Sequence, residues 1–457
     1  MKHSLWPALL ALLAFAQPSR AEGPVVALPT DPTLSRLIAE SFAARPELAQ
    51  SVAVAHAEGE RAAQADALPD PMLQIGIQND GFTSIEVGRM DTSFISFMAS
   101  QTLPWPGKLG LRKQVAELGT TQAKHAIARA RLSTEAEVRR AYWDLLLVRD
   151  RLALLDQLTA LWQKSSGIAR VRYETAGGAQ SDMLRAQLEL NRLEQRRLGL
   201  EAEERARVQA INRLRARPLA EPIVTTAHIG DLPALASFDG AFSEERSLHQ
   251  SPELATARLG TLRAARSVAL AEKSYYPDLT VSAGVMYRGA LPPMWLMTIG
   301  GPLPLFGKRS RAIAENRAWG DAAEQQVAAV QQVLRWRTEE RHGAFSALRK
   351  MADIYQQSLL AQSQATAEST LAQYQVGKVS FASVLEANAG FIADQEGYLE
   401  TIAEAYRILV AQAELSLAAT SMPSGVAGGS AAMPGSPAAS SGASVNGAPT
   451  GDNSSSM

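Results

Sequence analysis

The chain contains the same series of elements twice, and this repetition limits its possible folds more than any other feature. Four short markers recur in the same order about 200 residues apart: 45–48 as 251–254, 71–75 as 277–281, 104–108 as 304–308, and 173–187 as 374–388. One chance match would mean little, but four matches in register indicate an internal duplication. The sequence therefore predicts two similar halves, each with a helix, two short strands, a very long helix and a returning helix.

The two ends of the chain differ in composition from the rest. Residues 1–21 combine Lys2, an apolar run over 5–16 and a small-x-small site ending at Ala21, which is the pattern of a Sec-type signal peptide. Because the chain has no cysteine, we expect neither a disulfide nor a lipid anchor on cysteine. Residues 421–457 are almost entirely Ser, Ala, Gly, Pro and Asn, so we expect a disordered tail there.

No catalytic, cofactor-binding or metal-binding motif is found in the sequence. It has no nucleophile elbow, no phosphate-binding loop and no paired histidine or cysteine motif. The six histidines are scattered, whereas a metal site needs two or more close ligands. A net charge of −1 offers no basic face to nucleic acid. We therefore predict no enzyme activity, no cofactor, no metal site and no nucleic-acid partner.

The predicted fold class is mainly α with a small antiparallel β part. The first repeat, 22–217, is predicted to hold a helix from 31 to 68, a β-hairpin at 72–101, a long helix at 108–176 and a return helix at 180–217. An irregular link follows at 218–242. The second repeat, 243–420, is predicted to hold a helix at 243–274, a β-hairpin at 278–301, a long helix at 308–376 and a return helix at 380–419. A helix of 69 residues is roughly 100 Å long, so the pattern favours coiled-coil-like packing or a tube of helices.

Capping and turn residues predict where several elements begin. Asp31 is placed to cap the first helix, with Pro32 at its first position. Ser181 or Asp182 is predicted to cap the first return helix. The run Leu291-Pro292-Pro293 is predicted to turn the second hairpin.

The four strands have the length and pattern of membrane-spanning strands. Apolar and polar residues alternate over 279–288 most clearly, and each strand has about 8–11 residues, as a tilted transmembrane strand does. A four-stranded sheet in lipid would leave two edges of unpaired N–H and C=O groups, at several kcal/mol each. One chain alone cannot close this sheet, so the sheet must either lie on a soluble core or close into a barrel with copies of the chain. The alternative from the pattern is a soluble α+β protein whose hairpins cover helices.

Proline and glycine lie where each hairpin is predicted to change into a long helix. Proline fits such a joint because it removes an N–H donor where both hydrogen-bond ladders end. The predicted joint residues are Pro104, Pro106 and Gly107 in the first half, and Pro304 and Gly307 in the second.

The chain resembles the TolC family of outer-membrane efflux channels over about residues 31–419. The resemblance rests on the duplicated plan and on the joint runs 104–112 (Pro-Trp-Pro-Gly-Lys-Leu-Gly-Leu-Arg) and 304–309 (Pro-Leu-Phe-Gly-Lys-Arg). Asp70-Pro71 followed by 103–108 is most similar to the heavy-metal cation efflux members of the CusC and CzcC types. The resemblance implies a homotrimer in which each chain gives four strands to a twelve-stranded β-barrel in the outer membrane, above a long α-helical barrel in the periplasm.

The resemblance also implies partners and a function. The partners are outer-membrane lipid, a periplasmic adaptor (membrane fusion) protein and an inner-membrane pump of the resistance-nodulation-division type. The chain itself would conduct substrate passively to the exterior, and the CusC and CzcC likeness implies heavy-metal cations as that substrate. Two alternatives stay open: a channel for drug efflux or type I protein secretion, and a periplasmic coiled-coil scaffold without a pore.

Two sets of site residues follow from the same resemblance. The first set comprises candidates for a gate at the tunnel mouth, where three copies of one carboxylate would surround an axis: Asp182 and Glu386. The second set comprises the residues of the two helix-turn-helix tips expected to dock on the adaptor: Tyr173, Gly177, Gly178 and Ser181 at the first tip, and Tyr374, Val376, Gly377, Lys378 and Ser380 at the second.

Overall fold

The computed structural model describes residue 26, residues 28–303 and residues 307–418. The predicted signal peptide, joint residue Pro304 and the predicted tail lie outside the described residues. None of the helices in these ranges combines the length and the hydropathy needed to cross a lipid bilayer.

The structure is mainly helical, with one small sheet, and its two halves follow the same order of elements. The first half contains α1 Pro32–Ala44, α2 Pro46–Gln64, β1 Met72–Gln78, β2 Phe94–Leu103, α3 Lys108–Glu174 and α4 Gln180–Leu214. Two short 3₁₀ turns, Ile229–Asp231 and Leu235–Ala241, lie in the link. The second half contains α5 Glu244–Gln250, α6 Pro252–Lys273, β3 Leu279–Arg288, β4 Leu291–Gly300, α7 Lys308–Ile354, α8 Leu360–Gln375 and α9 Phe381–Glu414.

Each predicted first helix is in fact two helices, which corrects the prediction of one helix over 31–68 and one over 243–274. Arg45 and Ser251 are extended at the breaks, with ψ of 120° and 117°. Both precede a proline, whose ring disfavours the helical conformation of the residue before it. The following helix starts cleanly, because proline needs no N–H partner at a first position. At the chain's first helix the predicted cap is present: the Asp31 carboxylate accepts from Leu34 N at 2.6 Å.

The second hairpin turns at Gly289, not at the predicted prolines. Gly289 has φ +61°, a left-handed conformation that favours glycine. A Cβ there would also lie 2.6 Å from Gly88 Cα, too close for any other residue. Pro292 and Pro293 lie inside β4 instead, next to a register shift opposite Met286 and Arg288. They are tolerated there because β4 is an edge strand and needs few donors on its outer side.

The second long helix is interrupted, whereas one continuous helix over 308–376 was predicted. A π-turn at Tyr355–Leu359 separates α7 from α8. The Tyr355 ring packs over the backbone of α9 at Gly397, where an added Cβ would lie 2.5 Å from the hydroxyl oxygen. Such single π-turns occur as bulges inside otherwise regular α-helices.

Helix α3 organises the packing, because it lies against α2, α4, α6 and α9. Its middle part forms the largest core with the link and α9. There Trp143 packs edge-on against Tyr406 at 5.0 Å between ring centroids, and Phe238 of the link packs on the same tyrosine at 5.8 Å. The Tyr406 hydroxyl donates to Pro233 O at 2.6 Å. A second, smaller core joins α3, α4, α8 and α9 near their far ends.

Candidate functional site

The four strands form one antiparallel sheet in the order β1-β2-β3-β4, so β2 and β3 join the two halves of the chain. Register pairs such as Ile75 with Phe97, Phe97 with Val285, and Val285 with Trp295 place matching rows on one face. Apart from Gln101, every strand residue on this face is apolar. We call it the apolar face: Leu73, Ile75, Ile77, Ile95, Phe97, Ala99, Leu103, Leu279, Val281, Ala283, Val285, Tyr287, Trp295, Met297 and Ile299.

The opposite face carries mostly small and polar side chains. The cross-strand row Ser100–Ser282–Thr298 is typical, and Thr102 and Thr280 share a hydrogen bond at 3.1 Å. Period-two alternation puts these residues on the other side of the pleat from the apolar rows. The sheet is therefore amphipathic across its whole width.

No element of the described chain covers the apolar face. Trp295 is 78% exposed, Leu73 75% and Ile77 71%. A contiguous bare patch of this size marks an interaction surface in a protein or a membrane. The soluble alternative, in which the hairpins cover helices, is therefore wrong for the described chain.

Both edges of the sheet are open as well. In the described residues β1 pairs only with β2, and β4 pairs only with β3. Their outer N–H and C=O groups lack strand partners, which is not tolerated within hydrocarbon. The sheet is complete only when something pairs with β1 and β4.

The first joint between sheet and helix is held by a buried lysine. Gly107 caps α3 in the left-handed conformation, with φ +88°. Lys108, whose side chain is only 7% exposed, donates to Asp278 Oδ1 at 2.6 Å and to Tyr276 O at 2.7 Å. The backbone of Trp105 donates to the same carboxylate at 3.0 Å. Asp278, the residue before β3, thus connects directly to the segment that follows β2 and to the first residue of α3.

The charge state of Asp278 follows from these contacts. Partial burial works to raise the pKa of its carboxyl group, but hydrogen bonds from Lys108 and from the Trp105 backbone outweigh burial. The net result is a pKa below the ordinary value of 3.8. The carboxylate is therefore ionised at neutral pH, as its pairing with the ammonium group requires.

Among the described residues, the second joint repeats the left-handed glycine of the first but shows no equivalent ion pair. Gly307 caps α7 with φ +63°, again left-handed. Lys308 follows it, as Lys108 follows Gly107, but its side chain is exposed. The cavity beside both joints, about 650 Å³, is lined by Lys108, Lys308 and neighbouring residues of α3, α6 and α7.

The two helical tips share one backbone motif. At the second tip Gly377, at φ +77°, occupies the left-handed position, and Lys378 N bonds to Gln373 O at 2.9 Å. At the first tip the equivalent left-handed residue is Ala176 at φ +58°, and Gly177 N bonds to Arg172 O at 2.8 Å. An alanine pays a steric cost there that glycine avoids. The return helix begins at Gln180 after Ala179, so the predicted caps Ser181 and Asp182 both lie inside α4.

Most of the predicted docking residues are exposed, with one exception. Tyr173, Gly177, Ser181, Val376, Gly377, Lys378 and Ser380 are exposed, and Gly178 is half-buried. Ser380 also caps α9 by accepting from Ser383 N. Tyr374 is only 1% exposed, so its side chain cannot contact a partner, which corrects its assignment to the docking surface. Its ring is buried between the two helical hairpins because it packs on Phe381 at 5.2 Å.

Tyr374 instead links the two hairpins through Asp182 and Arg172. Its hydroxyl donates to Asp182 Oδ2 at 3.2 Å, from α8 to α4. The Arg172 guanidinium of α3 lies over the same ring at 4.7 Å and donates to Tyr374 O and, at 2.7 Å, to Gly177 O. Burial, the nearby charge of Asp182 and its hydrogen bond raise the pKa of Tyr374, so the hydroxyl keeps its proton. We call these three residues the tip latch.

Glu386, the second gate candidate, lies apart from the tip latch. Its side chain is exposed on α9 and lines an open groove of about 620 Å³ between α4 and α9. Glu189, Arg192, Arg196 and Glu396 line the same groove, and Arg196 pairs with Glu396 across it. The structure therefore brings Asp182 to Tyr374 but does not bring Asp182 and Glu386 together.

Sequence reasoning missed two residues that hold these sites, Arg172 and Asp278. Arg172 lies one residue before the predicted tip, and its equivalent in the second half is Gln373. This difference between the two halves is the sequence signal that could have identified Arg172. Asp278 belongs to the repeat marker 277–281, and its equivalent in the first half is Met72. Here too, the difference between the two halves marks the contact.

Among the described residues, no group of three His, Asp or Glu side chains is arranged to hold a metal ion.

Comparison with known proteins agrees with this geometry. Residues 245–419 match the model of the family described as Outer membrane efflux protein. The cobalt-zinc-cadmium resistance protein CzcC of Cupriavidus metallidurans is 23% identical over 345 residues, covering 75% of this chain and 80% of the relative. The nickel-cobalt-cadmium resistance protein NccC of Alcaligenes xylosoxydans xylosoxydans is 26% identical over 302 residues, covering 66% of this chain and 65% of the relative.

A solved structure of CusC, from a study of its folding and transmembrane channel formation, superposes with a TM-score of 0.69. The alignment covers 86% of this chain and 97% of that one, at 15% identity. At this identity the similarity shows the fold, which is that of the outer-membrane channels.

The joint makes a testable prediction about stability. Asp278→Asn should lower the free energy of unfolding by about 2 kcal/mol at pH 7, because it leaves the buried Lys108 ammonium without its charged partner. The folded-state pKa of Asp278 is below 3.8, so its stabilisation is complete well above that value and is lost as pH falls through the lowered pKa. Urea unfolding of the detergent-solubilised protein at pH 7 and pH 3 measures both effects.

The matched control is Asp66→Asn. Asp66 pairs with Lys113 at the same 2.6 Å, but both side chains are more than a third exposed, so little stability should be lost. Equal losses in the two variants, or a loss at Asp278 that is no smaller at pH 3 than at pH 7, would contradict the assigned role of the joint.

Proposed function

We propose that this chain, which carries a domain of the outer membrane efflux proteins and has the fold of the outer-membrane channels, conducts heavy-metal cations out of the cell as part of a tripartite efflux system. Its family and fold are those of passive outer-membrane channels, not of enzymes. The observation that carries the proposal is the bare amphipathic sheet: one face suits lipid, the other suits water, and both edges are open.

Three copies would close the sheet into a barrel, as channels of this family do. The apolar face would then meet outer-membrane lipid and the polar face would line a water-filled pore. The helices α3, α4 and α7–α9 would continue the wall as a tunnel in the periplasm. The predicted signal peptide would direct the chain to that compartment.

The energy for export would come from partners. Channels of this family work with a periplasmic adaptor and an inner-membrane pump, and we propose a pump of the resistance-nodulation-division type. The exposed tip residues Tyr173, Val376 and Lys378 suit contact with the adaptor. They lie at the helix ends that are most distant in sequence from the strands.

The relatives support metal cations as the substrate. One is named for resistance to cobalt, zinc and cadmium, the other for resistance to nickel, cobalt and cadmium. In a trimer, Asp182 and Glu386 would each form a ring of three carboxylates near the tunnel mouth. Such rings attract cations and disfavour anions.

The tip latch supports a role of Asp182 in gating. Its hydrogen bond with Tyr374 holds the α3–α4 hairpin to the α8–α9 hairpin at the end where a tunnel would narrow. A mouth that opens by separating hairpins must break this bond. Each of the three copies would contribute one latch, so the free energies of the three hydrogen bonds would add to hold the mouth closed.

The test of the proposed function combines location, assembly and transport. The mature protein should fractionate with the outer membrane, run as a trimer before boiling, and form ion-conducting pores in planar bilayers. Deleting its gene should lower resistance to cobalt, zinc, nickel or cadmium and leave growth on a drug panel unchanged. A soluble periplasmic monomer without conductance would support the scaffold instead, and drug sensitivity without metal sensitivity would contradict the substrate.

The gate predicts a specific change in conductance. Tyr374→Phe removes the hydroxyl donor to Asp182 but keeps the ring beneath Arg172. A hydrogen bond is worth about 1 kcal/mol, so each latch should shift its closed-to-open ratio about fivefold toward the open state. Single-channel recording should show a higher open probability or conductance than in the unmodified protein.

The control for the gate is Tyr173→Phe, since Tyr173 is the exposed neighbour on the first tip. It should leave conductance unchanged. Asp182→Ala with Glu386→Ala should raise conductance and weaken cation preference. Unaltered currents in the Tyr374 variant and in this double variant would remove these residues from the gate.

A further inference from the structure

The interface between the two halves of the chain can be described at three levels. In the sheet, β2 pairs antiparallel with β3 and places Leu103 opposite Leu279. At the joint, Lys108 bonds to Asp278 and to Tyr276 O. Between the helices, Gly119 of α3 lies at the meeting of α2 and α6, where a Cβ would be 3.4 Å from Glu58 Oε2 of α2 and 3.7 Å from the Arg263 guanidinium of α6.

The duplication supplies an equivalent for every residue of this interface. The joint run 104–108 recurs 200 residues later as 304–308, and the strand marker 71–75 stands 206 residues before 277–281. Leu103 therefore corresponds to Leu303, and Leu279 corresponds to Leu73. Leu73 lies on β1, and Leu303 lies three residues beyond Gly300, the end of β4. They belong to the two open edges, and one chain cannot bring them together because β2 and β3 lie between.

We propose that the β4 edge of one copy pairs with the β1 edge of the next copy in the register set by this equivalence, with Leu303 opposite Leu73 and Thr298 opposite Gln78. The proposal rests on the trimer of the proposed function and specifies its seam. The occupant of each open edge is a second copy of this chain. Parity agrees with it, since Leu73 lies on the apolar face, Leu303 follows Ile299 of that face by four residues, and Thr298 and Gln78 both lie on the polar face.

The exposed lysine of the second joint finds a partner in this arrangement. Tyr276, whose carbonyl accepts from Lys108, corresponds to Asp70. Lys308 of one copy then lies at Asp70 of the next, where both the carbonyl and the side-chain carboxylate can accept. Asp70 and Lys308 are both exposed in the single chain. The equivalent of Asp278 in the first half is Met72, which has no carboxylate to pair with Lys308. The opposite charges of Asp70 and Lys308 explain why the second half nevertheless keeps a lysine after its left-handed glycine.

The helices give an independent sign of the same seam. Gly119 corresponds to Trp319, which is 66% exposed in the single chain. The residue facing Gly119, Arg263, corresponds to Ala57. Within the chain, the small Gly119 faces the long Arg263 side chain. Across the seam, the large Trp319 ring would face the small Ala57, so each contact pairs one large residue with one small residue. Val54, also exposed, corresponds to Gly260 and completes the apolar surface for the indole ring.

Disulfide cross-linking tests the register, because the chain has no cysteine of its own. The full-length double variant Gln78→Cys with Thr298→Cys should form covalent dimers and trimers on oxidation in native outer membranes. The control Gln74→Cys with Thr298→Cys lies on the same face but four residues out of register. That offset is roughly 13 Å along the strands, beyond the roughly 7 Å that a disulfide can bridge, so it should stay monomeric on denaturing gels.

A second control and a charge exchange complete the test. Ser100→Cys with Ser282→Cys is an observed pair within one chain, and should lose its free thiols without forming oligomers. Lys308→Glu should reduce the fraction of trimer that survives detergent, and Lys308→Glu with Asp70→Lys should restore it.

The outcomes separate the seam from the function. Cross-linking of the control pair in a conducting trimer would overturn the proposed register and leave the channel standing. Cross-linking of neither pair, in a protein that still forms trimers, would overturn it equally. Absence of any trimer or conductance would overturn the seam and the proposed function together.

Discussion

The whole structure depends on one constraint: a sheet with an apolar face must have that face covered and its edges paired. Here four strands carry apolar rows from Leu73 across to Ile299, and no element of the described chain lies over them. In hydrocarbon each unpaired backbone group at the edges would cost several kcal/mol. In the proposed trimer, lipid would cover the face and further copies of the chain would pair with the edges, so the proposed membrane location and the proposed oligomer both follow from the same sheet.

The long helices α3 and α7 each begin shortly after a strand of that sheet. At both joints a left-handed glycine, Gly107 or Gly307, turns the chain from strand to helix. The Lys108–Asp278 pair then fixes the first joint to the other half of the chain. At the far ends of the same helices, Tyr374, Asp182 and Arg172 hold the two hairpins together. The wall is thus tied within each chain both at the sheet and at the tips, and the duplication suggests how it is tied between chains.

Patterns local in the sequence were sufficient to predict much of this fold, and contacts distant in the sequence were not. Period-two alternation gave β3, and a long run without proline gave α3 to within two residues of its end. Arg45-Pro46 and Ser251-Pro252 were visible as repeats, but their effect as helix breaks was missed. No local pattern predicts the π-turn at Tyr355–Leu359, where the Tyr355 ring packs over Gly397 of the distant helix α9. Similarly, the sequence pointed to Asp182 but placed its partner Tyr374 on the surface. The burial of Tyr374 between the hairpins is a tertiary property that no local pattern predicts.

The most direct test of the central claim is the pattern of solvent access along β3 in native outer membranes. Single cysteines at Thr280, Ser282 and Met286 should react with a membrane-impermeant maleimide through the aqueous pore, and cysteines at Val281, Ala283 and Val285 should be protected by lipid. A twofold alternation of labelling is the result expected for an amphipathic sheet in a bilayer. Equal labelling of both sets, or protection of both sets in a protein recovered from the soluble fraction, would contradict the account.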